Sequence, residues 1–566
     1  MNYTSRNDDV ERHPDWNQSP QDFNSDATTR ADLNGIVNNR EHRESPSSPE
    51  MSSTDQIIMD PQDTSGPPVA ATHAVKRSAT TSVRAASANA PNPAEQEPGF
   101  FTRAKAVAVK YSQFVGPGFL ISVAYIDPGN YATDVQAGAS TRYRHLFIIF
   151  MSNMFAIFLQ SLCIKLGTVT GLDLAANCRK HLPKWMSIVL YILSESAIIA
   201  TDIAEVIGSA IALNLLLHIP LVAGCAITLV DVLLLLVFYR PDGNMTRLRV
   251  FEYFVMGLVL SVVVCFCIQL SYIRNTTVAE VFRGYLPSAA IVDGDGVYLS
   301  CGILGATVMP HSIFLGSGVV QPRLREIDEA NGLHERRPDE SAVSLGEKYQ
   351  PSIFAIRSCL MYSIVELALS LFTFALFVNS SILIVSGSAL YPSTAATDAD
   401  LFGIHDLLSK SLSKAAGTIF ALALLLSGTS AGIVCTMAGQ MVSEGMLNWT
   451  IKPWLRRLVT RGISIIPAIV IAAAVGKDGL NQALVASQVV LSVMLPFVTA
   501  PLLWFTCRSK YMIVHTDPDG RRASQVSNTS VNMRNGWIVT VIAILIWLVL
   551  VVMNVALLVL VGLDKA

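Results

Sequence analysis

The chain has 566 residues, of which 51% are hydrophobic and only 15% are charged, whereas about 25% are charged in soluble proteins. The net charge of -2 comes without any basic tract, which argues against a nucleic-acid-binding protein. The nine cysteines show no Cys-x-x-Cys or Cys/His spacing, so neither a zinc site nor a disulfide framework is expected. The composition predicts a polytopic membrane protein.

Residues 1–97 are rich in Ser, Asn, Asp, Thr and Pro and poor in large apolar side chains. Such a segment buries too little surface to offset its chain entropy, so we expect a disordered cytosolic tail. Basic patches beside serine, such as Lys76-Arg77-Ser78, are compatible with regulatory binding or modification, although a merely solvated tail is the favoured interpretation for any single site. No cleavable signal peptide is visible. The membrane domain is expected to occupy residues 100–562.

Eleven apolar segments follow the tail, judged by the ~20-residue length that spans a bilayer. They cover residues 113–138, 146–167, 184–215, 219–239, 251–273, 296–320, 352–386, 414–445, 460–476, 482–506 and 536–562. Placing the tail in the cytosol assigns 22 Lys and Arg to inner flanks and 8 to outer connections. The positive-inside rule therefore favours a cytosolic N-terminus. The glycosylation sequons at Asn275 and Asn379 then fall on the outer side, although Asn379 lies near the membrane.

Two of these segments are interrupted in the same way. The first segment contains Ala124-Tyr125-Ile126-Asp127-Pro128-Gly129-Asn130, and the sixth contains Ala306-Thr307-Val308-Met309-Pro310-His311. Proline removes an amide donor and clashes with the preceding turn, so each helix should unwind. Matched interrupted helices in two halves indicate a transporter with a substrate site near the midplane. Five segments per half give an inverted repeat. The predicted fold is therefore all-α and LeuT-like, with 5+5 helices, an eleventh helix, and segments 1 and 6 unwound.

The residues at the two breaks suit a divalent transition-metal ion. Asp127 offers a carboxylate, Asn130 a neutral oxygen and Met309 a thioether, while unwinding frees the carbonyls of Ala124 and Ala306. Mg²⁺ and Ca²⁺ prefer all-oxygen shells, whereas a thioether favours softer metals. Mn²⁺ and Fe²⁺ fit best, and Co²⁺, Cd²⁺ and Zn²⁺ stay open. Met309 as ordinary packing and Asp-Pro-Gly as a loop turn are the bland alternatives.

A second polar group lies on the third segment, where Glu195, Asp202 and Glu205 share one helical face. Buried acids in such a row are typical of proton relays. Arg461 is a candidate partner, and its alternative is an inner-flank residue. His311 has a side chain suited to proton transfer, and a satisfied structural histidine is its alternative. Gln488 in the tenth segment is a further candidate metal ligand or backbone cap. The membrane acids Asp231, Glu252 and Glu366 are interpreted as structural, pairing with loops or helix ends.

Both breaks resemble the signature motifs of the Nramp (natural resistance-associated macrophage protein) divalent metal transporters. The stretch from Gly305 to Ser312, with Gln321-Pro322-Arg323-Leu324 after it, looks like the fungal manganese transporters of that family. The similarity extends from about residue 100 to 562 and includes the third and ninth segments. One departure is Met494, which stands before Leu495-Pro496 where many members have glutamine.

The resemblance implies proton-coupled import of Mn²⁺ and related metals into the cytosol across the plasma membrane or an endosomal or vacuolar membrane. It implies no enzyme activity and no resident cofactor, since metal and protons are substrates. It implies metal ligation by Asp127, Asn130, Met309 and the Ala124 and Ala306 carbonyls, with Gln488 joining in some conformations. Proton roles are implied for the following residues: Asp127, Glu195, Asp202, Glu205, His311 and Arg461.

Three other functions are compatible with the same segments. An organic solute carrier would explain the breaks but not a carboxylate beside a thioether. A passive metal channel would need a continuous polar stripe, which only the acids of the third segment approach. A metal-sensing receptor would use the tail for signalling.

Overall fold

The computed structural model describes residues 116–237, 245–274, 276–293, 296–333, 349–392, 400–448, 453–474, 476–516 and 529–563. The tail predicted for residues 1–97 and the sequon residue Asn275 lie outside these ranges. The boundary expected near residue 100 therefore stays a prediction.

All eleven predicted membrane segments are helical in the described ranges. In chain order they are α1 (Pro117–Val123) with α2 (Pro128–Thr141), α3 (Leu146–Thr170), α5 (Lys184–Leu217), α6 (Leu221–Val237), α7 (Met245–Ser271), α9 (Gly296–Thr307) with α10 (Pro310–Gly318), α12 (Ile353–Ser370) with α13 (Leu376–Ala389), α15 (Lys414–Leu447), α16 (Pro453–Ala474), α17 (Gly476–Cys507) and α18 (Trp537–Gly562).

Eight of the helical stretches in the described ranges are long and apolar enough to cross a bilayer by themselves. The first segment falls short because it is broken into α1 and α2, and α6 has 17 residues. In α16 only Arg461–Ala474 forms the apolar part. The seventh segment continues from α12 into α13 through a π-helical turn at Leu371–Ala375.

Shorter elements connect the membrane helices. They are α4 (Leu174–His181), α8 (Val278–Arg283), α11 (Gln321–Ala330), α14 (Leu401–Ser411), and strands β1 (Ile513–Thr516) and β2 (Thr529–Asn532). The strands pair antiparallel, with Ile513 opposite Asn532. This hairpin is a small departure from the all-α prediction. Its strands are only four residues long, too short for a hydropathy pattern to indicate them.

Side-chain caps fix where several helices begin. Asp173, Ser352 and Ser413 each accept a hydrogen bond from the backbone amide three residues later. Such caps satisfy amide groups that have no partner within the helix. The cap at Ser352 is itself held by Asp328 of α11, which accepts hydrogen bonds from the Ser352 amide and hydroxyl. The connecting helix and the start of α12 are thereby fixed to each other.

The interrupted helices occupy the centre of the molecule. In the most apolar part of the stretch from α9 to α11, 94% of the residues are buried inside the protein. In the most apolar part of α18, only 28% are buried. Five segments beginning with a broken helix are followed by five more beginning with a broken helix. This is the order of a 5+5 repeat, with α18 added at the lipid-facing periphery.

Candidate metal centre

The first helix break lies between α1 and α2. The amides of Ala124, Tyr125 and Ile126 bond to carbonyls three residues earlier, so α1 tightens before it ends. Asp127 is extended (φ -112°, ψ 150°) and caps α2, where its Oδ2 accepts the Gly129 amide at 2.8 Å. The α-helical partner of the Ala124 carbonyl would be Pro128, which has no N–H. The break therefore presents a carboxylate and a freed carbonyl.

Polar side chains from two other helices hold this break open. Asn130 and Asn379 of α13 both donate to the Tyr125 carbonyl, at 2.7 and 3.0 Å. Asn130 also donates to Asn379 Oδ1 at 3.3 Å. Ser427 of α15 donates to the Ile126 carbonyl at 2.6 Å. The unwound carbonyls at 125 and 126 are thus satisfied by protein, which is the condition for irregular backbone at membrane depth.

The second break lies between α9 and α10, and its surroundings are apolar. Met309 precedes Pro310 in extended backbone (φ -72°, ψ 122°) and is fully buried. It packs in a cluster with Ala197, Ala200 and Leu491, against which Met494 also packs. The Ala306 carbonyl faces a proline at the fourth residue on, as Ala124 does. The second break offers sulfur and a carbonyl but no charge.

The side chain of Gln488 in α17 lies against the first break. The backbone carbonyl of Gln488 and the nearby Ser492 lie close to Gly305, just before the second break. A Cβ placed on Gly129 would collide with the Gln488 amide and lie 2.7 Å from Asp127 Oδ2. A Cβ placed on Gly305 would lie 2.9 Å from the Gln488 carbonyl oxygen and 3.0 Å from Ser492. Both breaks therefore approach α17 closely because glycine leaves the space. A narrow cleft among α2, α9, α17 and α18 also reaches Gln488.

A hydrogen-bonded triad joins the two breaks. The Tyr125 hydroxyl is 3.0 Å from Ser312 Oγ, and Gln160 Nε2 of α3 donates to both, at 3.0 and 2.8 Å. Ser312 in turn donates to the Met309 carbonyl at 2.7 Å. All four residues are buried. The triad links the backbone of one break to that of the other.

Three ligand atoms at the breaks are buried without a hydrogen-bond partner in the described ranges: Asp127 Oδ1, Asn130 Oδ1 and Gln488 Oε1. Burying a polar atom unpaired costs about 1–3 kcal/mol, and a buried carboxylate costs more. A bound cation would satisfy all three oxygens. The donor set of oxygens with one thioether fits a divalent transition metal.

The acids of α5 divide into two groups. Arg461 of α16 forms an ion pair with Asp202, and its Nη1 lies 3.5 Å from Glu205 Oε2. These three side chains are almost fully buried. Glu195 is only partly buried, and no ion pair joins it to them in the described residues. Although helical spacing places the three acids on one face, only Asp202 and Glu205 reach Arg461, because α16 crosses α5 at that level.

Glu205 is near the first break. It interacts electrostatically with Asp127, and Gly208, one turn later, leaves the space that Pro128 fills. His311, which follows the second break, contacts α5 through Thr201: its Nδ1 lies 3.4 Å from Thr201 Oγ1. Its Nε2 has no hydrogen-bond partner in the described residues. The structure thus brings Asp127, Glu205 and Arg461 into one polar row.

Charged residues also close one end of the first broken helix. Glu366 of α12 accepts the amides of Gly116 and Gly118 at 2.9 and 2.7 Å. Arg323 of α11 and Glu252 of α7 form a buried ion pair at 3.0 Å, and a Cβ on Gly116 would collide with it. Glu252 and Glu366 therefore have the structural roles expected from the sequence. The side chain of Asp231 lies outside the described set.

Sequence reasoning missed several residues that shape the centre. These are Tyr125, Gln160, Ser312, Asn379 and Ser427. Asn379 also corrects an expectation, because it lies fully buried in α13 with its amide bonded to Tyr125. A buried, hydrogen-bonded asparagine is inaccessible to glycosylation. The signal that could have found these residues is polarity within membrane-length apolar segments.

Comparison with known proteins gives consistent matches over the membrane domain. Residues 118–560 match the model of the family described as natural resistance-associated macrophage protein-like. The manganese transporter pdt1 of Schizosaccharomyces pombe is 53% identical, covering 80% of this chain and 86% of that protein. The iron transporter SMF3 of Saccharomyces cerevisiae is 50% identical, with coverages of 72% and 84%.

A solved structure has the same fold. The crystal structure of the Eremococcus coleocola manganese transporter, in complex with an aromatic bis-isothiourea compound, superposes with a TM-score of 0.64 at 30% identity. The match covers 82% of this chain and 89% of that one. The predicted LeuT-like arrangement of the helical membrane domain is confirmed by this similarity together with the helix order.

Proposed function

Because the chain belongs to the natural resistance-associated macrophage protein-like (Nramp) family, we propose that it is a divalent transition-metal transporter that imports Mn²⁺ into the cytosol by alternating access, driven by protons. It is a multi-pass membrane protein and not an enzyme. Fe²⁺ is the second candidate cargo, since the relative SMF3 is named an iron transporter. Co²⁺ and Cd²⁺ are further candidates on donor chemistry.

The observation that carries this proposal is the set of unpartnered oxygens at and beside the first break. Asp127 Oδ1, Asn130 Oδ1 and Gln488 Oε1 are buried and free to coordinate. Met309 would add a soft ligand, and the Ala124 and Ala306 carbonyls would add neutral oxygens. Asp127 would supply the charge that offsets dehydration of the ion.

The proposed proton route starts at Asp127 and continues to Glu205, Asp202 and Arg461. Its support is the packing of α5 at Gly208 against Pro128, next to Asp127, and the ion pairs of Arg461 with Asp202 and Glu205. A metal ion at Asp127 would repel a proton there and favour its transfer along this row. Glu195 and His311 would also exchange protons with this row of residues.

Alternating access would open the metal centre to one side of the membrane at a time, past the two ends of the broken helices. The cleft among α2, α9, α17 and α18 reaches Gln488 from one end. At the other end α1 is held by Glu366, beside the Glu252–Arg323 pair. With the N-terminus in the cytosol, the held end is the cytosolic one. We propose that the protein lies in the plasma membrane or in an endosomal or vacuolar membrane, across which metal enters the cytosol.

Uptake into proteoliposomes tests both cargo and coupling. Mn²⁺ uptake by the purified protein should accelerate when an inward proton gradient is imposed, and internal pH should fall with it. Glu205→Gln keeps the side-chain shape but removes the titratable group, so it should carry Mn²⁺ with a weakened response to the gradient. A flux insensitive to the gradient in the wild type would identify a passive channel. Failure to carry any divalent metal, with organic solutes carried instead, would overturn the cargo.

A further inference from the structure

A thiol lies beside the acid pair of α5, outside the metal centre at the breaks. Ligand atoms of Asp202, Glu205 and Cys435 all lie within 4.8 Å of one another, and all three residues are buried. Cys435 belongs to α15, and its Sγ donates to the Ile198 carbonyl at 3.6 Å. The group therefore joins α5 to α15 and contains one soft donor and two carboxylates.

One oxygen of this group is available. Glu205 Oε2 lies toward Arg461, while Oε1 is buried without a hydrogen-bond partner in the described residues. The thiol hydrogen bond to Ile198 is a weak one, since sulfur is a poor donor. The group thus holds an unsatisfied carboxylate oxygen and a thiol, whose proton a bound metal ion would have to displace.

We propose that Asp202, Glu205 and Cys435 form a second metal site that selects thiophilic divalent ions such as Zn²⁺ and Cd²⁺. Thiolate ligands favour these softer ions over Mn²⁺, which stands at the weak end of the divalent affinity order. Binding releases the thiol proton, because a cysteine ligand coordinates as thiolate. The Sγ–H bond breaks, an Sγ–metal bond forms, and the proton leaves to solvent.

The charges of the group balance for such an ion. Two carboxylates and one thiolate carry three negative charges, and the Arg461 guanidinium in contact with them carries one positive charge. A divalent ion neutralises the remaining two. If the thiol kept its proton, the same ion would leave an uncompensated positive charge in a low-dielectric interior, which is costly. The site therefore requires a metal that displaces a thiol proton.

The geometry needs only a small closure. Metal–ligand bonds of about 2.0–2.3 Å place neighbouring tetrahedral ligands about 3.6 Å apart. The three ligand atoms already lie within 4.8 Å of one another, so the proposed site requires the Glu205 and Cys435 side chains to move about 1 Å closer, with water completing the shell. Occupation would hold both acids of the proposed proton row, so a thiophilic ion would block transport at a place distinct from the cargo site.

Binding of Cd²⁺ alone to the purified protein tests the site without any transport assay. The readout is the ultraviolet charge-transfer band of a thiolate bound to Cd²⁺. Wild type should show the band, and Cys435→Ser should lose most of it. Cys225→Ser is the matched control, because Cys225 is a fully buried thiol of α6 outside the group. It should keep the band. Gel filtration and Mn²⁺ uptake verify that each variant is folded.

Two further variants separate this site from the cargo site. Glu205→Gln should weaken Cd²⁺ binding with Cys435 intact, which keeps the test informative if Cys435→Ser folds poorly. Asp127→Asn should retain the band although it loses Mn²⁺ uptake. A band unaffected by both Cys435→Ser and Glu205→Gln would overturn the second site. A band lost in Asp127→Asn would assign the ion to the cargo site instead. Absence of Mn²⁺ uptake with the Cys435-dependent band intact would contradict only the transport proposal.

Discussion

The two helix breaks share a sequence pattern but differ in what surrounds them. At the first break, Asn379 and Ser427 satisfy the carbonyls of Tyr125 and Ile126, and Asp127 caps the next helix. At the second, Met309 has apolar neighbours from α5 and α17 and makes no side-chain cap. The first break therefore presents a charged carboxylate to a bound ion, and the second presents a neutral thioether.

This difference suggests a division of labour at the metal centre. A carboxylate binds any divalent cation strongly and discriminates little among them. A thioether adds little affinity for hard ions but penalises them relative to softer ones. Specificity is a difference of affinities, so the charged break would supply affinity and the apolar break would supply selectivity. Four substitutions test this division.

The largest effect is expected for Asp127→Asn. The amide oxygen keeps the cap on Gly129, so the break should persist while the charge is lost. Mn²⁺ uptake in a manganese-starved host should fall to background with the protein still in the membrane. Surface quantification of the same cells gives the control. Near-normal uptake by this variant would remove Asp127 from the centre.

Asn379→Ala should have the second largest effect, because it removes a side chain that supports the backbone of the first break and not a metal ligand. It deletes a donor to the Tyr125 carbonyl and the acceptor for Asn130. Leaving buried groups unpaired costs about 1–3 kcal/mol, so Mn²⁺ uptake should drop about tenfold or more. Ser381→Ala on the same helix is the control, since among the described residues its hydroxyl bonds the Phe377 carbonyl of its own helix. Equal losses in both variants would point to a general packing defect.

Met309→Ala should change selectivity more than rate. Mn²⁺ transport should persist with its KM raised several-fold, Cd²⁺ transport should weaken more, and Ca²⁺ should begin to compete. Met494→Ala removes a methionine that packs on the same cluster without standing at the break. Parallel uptake of the three ions by both variants is the measurement. If Ca²⁺ stays excluded and the Mn²⁺ to Cd²⁺ ratio is unchanged, Met309 serves packing alone.

Tyr125→Phe should have the smallest effect. It removes the hydroxyl that bonds Ser312 and Gln160, contacts worth about 1 kcal/mol each, and loosens the link between the breaks. A several-fold decrease in the rate of Mn²⁺ uptake with unchanged ion selectivity is expected. Tyr131→Phe is the control, because the buried Tyr131 hydroxyl bonds neither Ser312 nor Gln160 in the part of the chain that the structure describes. A change in selectivity for Tyr125→Phe would show that the two breaks do not act separately.

The sequence by itself determined the membrane helices, the positions of the two breaks and the candidate ligands. Apolar runs of bilayer length and the two prolines are local features, and a local pattern suffices to place them. Hydropathy did not reveal α4, α8, α11, α14 or the β hairpin. These elements are short or polar, and their register is set by caps and by packing on the membrane helices.

Only the tertiary structure decided which polar residues meet. Helical periodicity placed Glu195, Asp202 and Glu205 on one face, but the position of α16 decided that Arg461 reaches only the last two. Gln160 and Asn379 were indistinguishable in sequence from other polar residues in apolar segments, because their partners lie on helices distant along the chain. The chemical type of each residue can be read from the sequence, whereas its hydrogen bonds and ion pairs depend on where the helices cross.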